Sequence, residues 1–120
     1  MQERDRERIE NIIGFCDRIL LYSDAENSGY EQFRTDYKTQ DACILCVIQI
    51  GEVIVNLSDE IRGKYPDVPW QAIKRTRNVY VHNYGNVDPE FVWELIVNEI
   101  PALKRRCLEI LSDESGLQSE

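Results

Sequence analysis

The segment between residues 38 and 63 constrains the fold most, because its apolar residues form two stripes. Apolar residues that recur every three or four positions indicate one face of a helix, and a single stripe is typical of a helix with one buried side. Here one stripe is Ala42, Leu45, Cys46, Val53, Leu57 and Ile61, and the other is Ile44, Val47, Ile48, Gly51, Ile54 and Val55. The pattern predicts a central helix, with both sides covered either by its own neighbours or partly by a second chain.

Helical periodicity extends over most of the remaining sequence. It predicts a first helix over about 4–23, a short helical turn over about 30–35 and a fourth helix over about 69–83 that starts at Pro69. Asp88 and Pro89 are suited to begin a fifth helix, which Pro101 should kink or split. We therefore expect an all-α fold: an antiparallel bundle of four long helices plus a short helical segment over 1–112, followed by a polar, frayed tail over 113–120.

Composition limits the classes of partner. A length of 120 residues suits a single domain, and the net charge of −8 argues against broad, non-specific binding to nucleic acids, including DNA. No run of about 18 apolar residues predicts a membrane span, and the charged start lacks the apolar core of a signal peptide. The expected location is the cytoplasm.

The four cysteines predict core packing rather than a metal site. Cys43 and Cys46 form a CxxC pattern inside an apolar run, with no second CxxC and only one histidine in the chain. Four zinc ligands are therefore poorly supplied, whereas buried cysteines behave as small hydrophobes. We predict no metal and no cofactor.

One short segment, 77–84, concentrates the residues suited to catalysis. Arg77 offers a permanently charged fork that suits a phosphate, and His82 can move protons near neutral pH. Asn78 and Tyr84 lie within the same span. These residue types favour phosphodiester cleavage in RNA, because the 2'-hydroxyl nucleophile comes with the substrate. An arginine and a histidine at this spacing also occur in helices with no catalytic role.

Basic residues surround this segment. Lys74 and Arg75 precede it closely, and we predict that they contact RNA phosphate. On a regular helix, Arg77 and His82 point about 140° apart. Convergence therefore requires either a locally unwound helix or a second copy of the chain, which would also supply a second histidine. Glu52 could orient Arg77 through an ion pair, or could be an ordinary surface carboxylate.

The pattern Arg-Asn-x3-His-x-Tyr has specific flanks, namely Pro69-Trp70 before it and Val92-Trp93-Glu94 after it. Together with Ile50-Gly51-Glu52, the arrangement resembles the HepT-like branch of the HEPN superfamily, over about residues 5–111. These proteins are ribonuclease toxins paired with MntA-type nucleotidyltransferase antitoxins. Where that family commonly has aspartate between the histidine and the tyrosine, this chain has Asn83, which removes a charge beside His82.

The resemblance implies a metal-independent endoribonuclease with a composite site in a homodimer cleft. It assigns catalysis to Arg77, Asn78 and His82, and it makes Tyr84 the residue to which a cognate nucleotidyltransferase antitoxin attaches AMP. The alternative is a non-enzymatic protein that binds nucleotides or presents substrates to a small nucleotidyltransferase. Related proteins of that kind often lack the arginine–histidine pair, so its presence here favours the enzyme. The sequence identifies neither the RNA target nor an adjacent antitoxin gene.

Overall fold

A computed structural model describes residues 1–82 and 86–118, and this part of the chain is helical without strands. Its four long helical segments confirm the predicted all-α bundle. The elements in chain order are α1 (Glu3–Ser23), α2 (Tyr30–Phe33), α3 (Tyr37–Asn56), α4 (Asp59–Lys64), α5 (Trp70–His82), α6 (Pro89–Glu94), a π-helical turn (Leu95–Glu99) and α7 (Ile100–Gln118).

Helix α3 lies at the centre of the bundle, as its two stripes predict. It packs against both α1 and α5, and α7 packs against α1. The buried side chains of α3 include Cys43, Val47, Ile50 and Ile54. Some of its apolar surface nevertheless stays open, since Leu45 is 54% exposed and Val55 is 42% exposed. Neighbours within the chain therefore cover most of the helix but not all of it.

The prediction of one continuous helix over 38–63 is wrong at residues 57 and 58. Helix α3 ends at Asn56, and a new helix, α4, begins after Ser58. The Ser58 side chain accepts a hydrogen bond from the Ile61 amide at 3.2 Å, and the buried carboxylate of Asp5 accepts from both the Ser58 amide and its hydroxyl. A capping serine satisfies amides that a helix start leaves free. Ile61 stays buried because α4 continues the apolar stripe after the break.

The sequence predicts that Pro101 kinks or splits its helix, and the structure shows a continuous helical segment with a single π-helical turn before this proline. Asp88 caps α6 by accepting a hydrogen bond from the Glu90 amide, with Pro89 in the first turn. The π turn over Leu95–Glu99 directly precedes Pro101. A proline cannot donate to the carbonyl four residues earlier, and a wider turn accommodates that missing bond.

Helix α7 runs through part of the segment that the sequence assigns to a polar tail. It continues to Gln118, and the Glu114 side chain is 2% exposed with its carboxylate 3.1 Å from the Lys64 ammonium. A buried carboxylate needs such a partner. Residues 113–118 are therefore helical, whereas the division into a domain over 1–112 and a tail stays a prediction.

The four cysteines are free and buried, which confirms the predicted core packing. Burial raises the pKa of the Cys16, Cys43 and Cys107 thiols to about 12, because an apolar environment disfavours the thiolate. These three groups are therefore neutral, unreactive core side chains at physiological pH.

By length and composition alone, α3 could cross a membrane. It has 20 residues, and its most apolar window has a mean hydropathy of 1.3 with 44% of its residues buried in the bundle. No other helix in the described ranges passes that test. The central helix of a globular bundle has the same properties, so this observation is weak grounds for a membrane span. The absence of a membrane partner and the cytoplasmic location stay predictions.

Candidate active site

Helix α5 carries the candidate residues, and buried aromatic side chains fix it in the bundle. At its first residue, the Trp70 indole is buried and donates a hydrogen bond to the Tyr65 carbonyl at 3.0 Å. Near its last residue, the Tyr80 ring is fully buried and meets Phe91 edge-on, with centroids 6.3 Å apart. Trp70 is thus a core residue. Because both ends of α5 are held, the side chains between them have defined directions.

The Arg77 side chain extends across α3 and ends in two hydrogen bonds. One terminal nitrogen, Nη2, donates to the Glu52 carboxylate, and the other, Nη1, donates to Asn78 Oδ1 at 2.6 Å. Contacts from two sides hold the guanidinium plane in one orientation. The structure thus supports an ion pair between Glu52 and Arg77, one of the two interpretations that the sequence leaves open for this glutamate.

Gly51 makes room for the aliphatic part of Arg77. A Cβ atom added at Gly51 would lie 2.5 Å from Arg77 Cγ and closer still to Arg77 Cβ. Carbon atoms in contact normally lie about 3.5–4.0 Å apart. Glycine is therefore required at this crossing of α3 and α5.

The arginine is partly open to solvent and retains donors for a ligand. The Arg77 side chain is 26% exposed and Glu52 is 43% exposed, so the pair lies at the edge of the bundle and not in its core. A guanidinium has five N–H donors, of which the protein contacts use two. The Nε atom is buried with no hydrogen-bond partner among the described residues. This arrangement provides a fixed positive charge with unused donors, which suits a phosphate.

His82 is not brought together with Arg77 within one chain. It is exposed at the last residue of α5, and no described residue hydrogen-bonds to its ring. The helix is regular from Trp70 to His82, so the two side chains point about 140° apart, as the sequence predicts. The other expected site residue, Tyr84, lies outside the described residues, as does Asn83.

The two predicted RNA-contacting residues lie on the same helix. Arg75 is exposed and Lys74 is half-buried. A second basic run, 104–106, forms ion pairs with other parts of the chain. Lys104 Nζ lies 2.7 Å from Asp17 Oδ1, and Arg106 Nε lies 2.6 Å from Asp67 Oδ2. Lys104 and Arg106 are therefore engaged in ion pairs within the chain.

Sequence reasoning missed the contact between Arg77 and Asn78. The family resemblance places Asn78 among the catalytic residues, and in the structure its amide oxygen accepts a hydrogen bond from the arginine beside it. Neighbouring residues on a helix usually point apart, so no signal in the sequence predicts this bond.

Within the described ranges, no three His, Cys, Asp or Glu side chains are grouped so that they could hold a metal ion.

The chain is similar in sequence to a family of ribonucleases. The family model for HepT-like ribonucleases matches residues 6–110. A candidate RNase from Methanocaldococcus jannaschii is 34% identical over 110 residues, which cover 92% of this chain and 84% of the relative. One from Caldanaerobacter subterraneus subsp. tengcongensis is 33% identical over 109 residues, which cover 91% and 96%.

A third relative carries the family name itself. A Thermococcus cleftensis protein named "Probable ribonuclease HepT" is 35% identical over 75 residues, which cover 62% of this chain and 68% of the relative. No solved structure matches the chain. The matched region includes every element that carries a candidate site residue.

Proposed function

We propose that this chain, which belongs to the HepT-like ribonuclease family, cleaves RNA without a metal ion and uses Arg77 and His82 for the reaction. Family membership and the similarity to RNases make it an endoribonuclease. The proposal concerns how it cleaves. It rests mainly on one observation: the Arg77 guanidinium is fixed by Glu52 and Asn78 at the edge of the bundle, on the helix that ends in an exposed His82.

The proposed reaction is an internal transesterification of RNA. The 2'-oxygen forms a bond to phosphorus while the bond from phosphorus to the 5'-oxygen breaks. A base takes the proton of the 2'-hydroxyl, and an acid gives a proton to the departing 5'-oxygen. His82 can fill either role, and the Arg77 fork would stabilise the negative charge that grows on the phosphoryl oxygens. The products are a 2',3'-cyclic phosphate and a 5'-hydroxyl.

The direction of the side chains favours a site shared by two chains. Arg77 points towards α3 and His82 points elsewhere, and the chain has one histidine. A two-fold axis beside α5 would bring two histidines and two arginines into one cleft. Exposed apolar side chains lie near the end of α3 and along α5, since Val55, Val79 and Val81 are 42%, 51% and 42% exposed. Burying them in a homodimer would be favourable.

The experiment is an RNA cleavage assay in the presence of EDTA, with end-group analysis of the products. We expect cleavage in the chelator and cyclic-phosphate ends. Arg77→Ala and His82→Ala should each lose most of the activity, with unchanged helical circular dichroism. Lys38→Ala, at an exposed position at the start of α3, is the matched control that should keep full activity. Activity that vanishes in EDTA and returns with magnesium would refute the mechanism.

Mixed dimers test whether the two chains share the chemistry. If the two histidines divide the acid and base roles, a dimer of one wild-type chain and one His82→Ala chain should lose far more than half of the activity. Retention of half would show two independent sites. Light scattering should find a dimer at micromolar concentration, and an active, stable monomer would contradict the composite site.

We further propose that the protein is the toxin of a toxin–antitoxin pair and that a cognate nucleotidyltransferase silences it by attaching AMP to Tyr84. Added phosphate close to Arg77 would occupy the position meant for RNA phosphate. The nearby Tyr80 is fully buried, which argues against Tyr80 as the modified tyrosine of this segment. Incubation with the nucleotidyltransferase, ATP and magnesium should add AMP masses and stop cleavage. Tyr84→Phe should escape both effects, and labelling that moves to Tyr80 would refute the assignment.

A further inference from the structure

The outward face of α5 carries four polar side chains in line, here called the α5 row: Gln71, Arg75, Asn78 and His82. Their spacing of four, three and four residues places them within about 60° of arc on a regular helix. Gln71, Arg75 and His82 are exposed, and Asn78 is half-buried. The row is therefore a continuous polar surface that leads to the proposed reacting histidine.

A groove opens at the other end of the α5 row. It has a volume of about 570 Å³ and lies between α4 and the first turn of α5. Arg62 lines it from α4, while Gln71 and Arg75 line it from α5, and the buried Trp70 ring contributes to its wall. The start of α5 adds the partial positive charge of a helix N-terminus. Donors from two helices thus face one groove.

The charges in the groove favour an anion. Asp59 also lines it and pairs with Arg62 at 2.5 Å. That aspartate is fully exposed, whereas the Arg62 side chain is only 23% exposed. Surface ion pairs of this kind contribute about 0–1 kcal/mol, so another anion can replace the carboxylate. Two arginines against one aspartate leave the groove locally positive in a chain of net charge −8.

We propose that this groove binds a backbone phosphate of the RNA, at a nucleotide that flanks the cleavage position. Arg62 and Arg75 would contact the phosphate, and Gln71 would donate to it or to the sugar. Arg75 lies seven residues before His82, about 10 Å along the helix. A stacked strand rises about 3.4 Å per nucleotide, so the two phosphates are roughly three nucleotides apart. This inference rests on the proposed ribonuclease function and adds a substrate-binding subsite to it.

The test measures binding of RNA of two lengths to the full-length protein. The RNA contains the sequence around one mapped cleavage site. It carries a 2'-deoxy nucleotide at that site, so that it binds without being cut. The long form extends five nucleotides on each side of that site, and the short form extends one. Fluorescence anisotropy gives the affinity of each form over a range of salt concentrations.

Arg62→Gln and Arg75→Gln should each weaken binding of the long RNA roughly ten-fold, as expected for the loss of a charged contact. Each should also reduce the slope of log affinity against log salt by about 0.7, the value for one phosphate on a single strand. Binding of the short RNA should not change. Asp59→Asn removes the competing carboxylate and should tighten binding of the long RNA. Lys38→Gln removes a positive charge far from the groove and is the matched control.

Arg62→Lys keeps the positive charge and changes the shape of the side chain. If the groove holds a phosphate, this variant should retain most of the binding that Arg62→Gln loses. Arg75 is exposed, so its substitution leaves the core intact. The subsite is refuted if Arg75→Gln leaves the affinity for the long RNA and its salt slope unchanged. It is also refuted if both arginine variants weaken the short and long forms equally. Failure of the ribonuclease proposal has a different signature, since the wild-type protein would then cut no RNA and both proposals would fall.

Discussion

Replacing Gly51 with alanine should separate the role of the α3–α5 crossing from the role of any charged residue. The added Cβ would lie 2.5 Å from Arg77 Cγ, about 1 Å closer than the shortest ordinary carbon contact. The added group would meet Cβ and Cγ of Arg77, the side-chain atoms nearest the backbone. A change of rotamer at the tip of the arginine therefore cannot relieve the clash. The two helices must therefore move apart, and the guanidinium must move with α5.

The expected loss of stability combines two opposing terms. Overpacking of this kind costs about 1–3 kcal/mol. Alanine in place of glycine inside a helix regains about 0.5–1 kcal/mol. The net change should be a loss of about 1–2 kcal/mol, measured by urea unfolding.

The activity should fall more sharply than the stability. A reacting group displaced by about 1 Å can cost ~100-fold in rate. We therefore expect kcat of Gly51→Ala to fall by roughly two orders of magnitude while the protein stays folded at 25 °C. The assay is single-turnover cleavage of an RNA with one mapped site.

A matched control exists within the chain. Gly14 in α1 has open space where a Cβ would be added. Gly14→Ala should therefore keep full activity and gain up to about 1 kcal/mol of stability. The reasoning is refuted if Gly51→Ala is as stable as this control and cleaves RNA at the wild-type rate.

Three further changes have defined outcomes. Glu52→Gln should lower kcat about ten-fold with little change in KM, because the neutral amide orients Arg77 less firmly. The free energy of unfolding should change by less than about 1 kcal/mol. An unchanged kcat would remove Glu52 from the mechanism. Ser58→Ala should cost about 1–2 kcal/mol in urea unfolding, since it removes the cap of α4 and a partner of the buried Asp5. Tyr80→Phe should cost nothing, because the buried Tyr80 hydroxyl has no partner among the described residues.

The stability should also fall with increasing pH above about 9. The Cys16, Cys43 and Cys107 thiols have their pKa raised from 9.0 to about 12 in the folded protein. Between these values the unfolded chain loses protons that the folded chain retains, so each thiol costs up to about 1.4 kcal/mol per pH unit. Urea unfolding at pH 8 and pH 10 measures the difference. Cys43→Ala should reduce the pH dependence, and an unchanged dependence would exclude the Cys43 thiol as one of its causes.

The positions of most helices could be predicted because local chemistry determines them. Asp88 and Pro89 begin a helix wherever they precede an apolar stripe, and a proline inside a helix must disturb the turn before it. The break at Ser58 could not be predicted in the same way. Its cause is Asp5, more than 50 residues away in sequence, whose carboxylate accepts two hydrogen bonds from Ser58. Periodicity records which residues are buried, and the apolar stripe passes through this break without a gap.

The same distinction applies to the candidate site: some of its features follow from the local sequence, and others depend on how the helices pack. The residue types at 77, 78 and 82 indicate phosphate chemistry, and helix geometry predicts that Arg77 and His82 diverge. The partners of Arg77 depend instead on how α5 crosses α3. Glu52 comes within reach only because Gly51 lets the arginine pass close to the helix. Sequence alone offers Glu52 as one of many carboxylates.

If Arg77 and His82 act together as we propose, one chain is an incomplete catalyst. Arg77 is held from two sides and points towards α3, so it cannot swing about 140° to meet His82 without losing both Glu52 and Asn78. His82, by contrast, is exposed and has no hydrogen bond from the described residues to fix its ring. A histidine needs a defined position within about 3 Å of the proton that it transfers. A second chain that buried Val79 and Val81 would cover the surface on either side of Asn78 and could restrict the histidine at the same time. Dimer formation and catalysis would then be linked, and substitutions such as Val79→Lys should abolish both together.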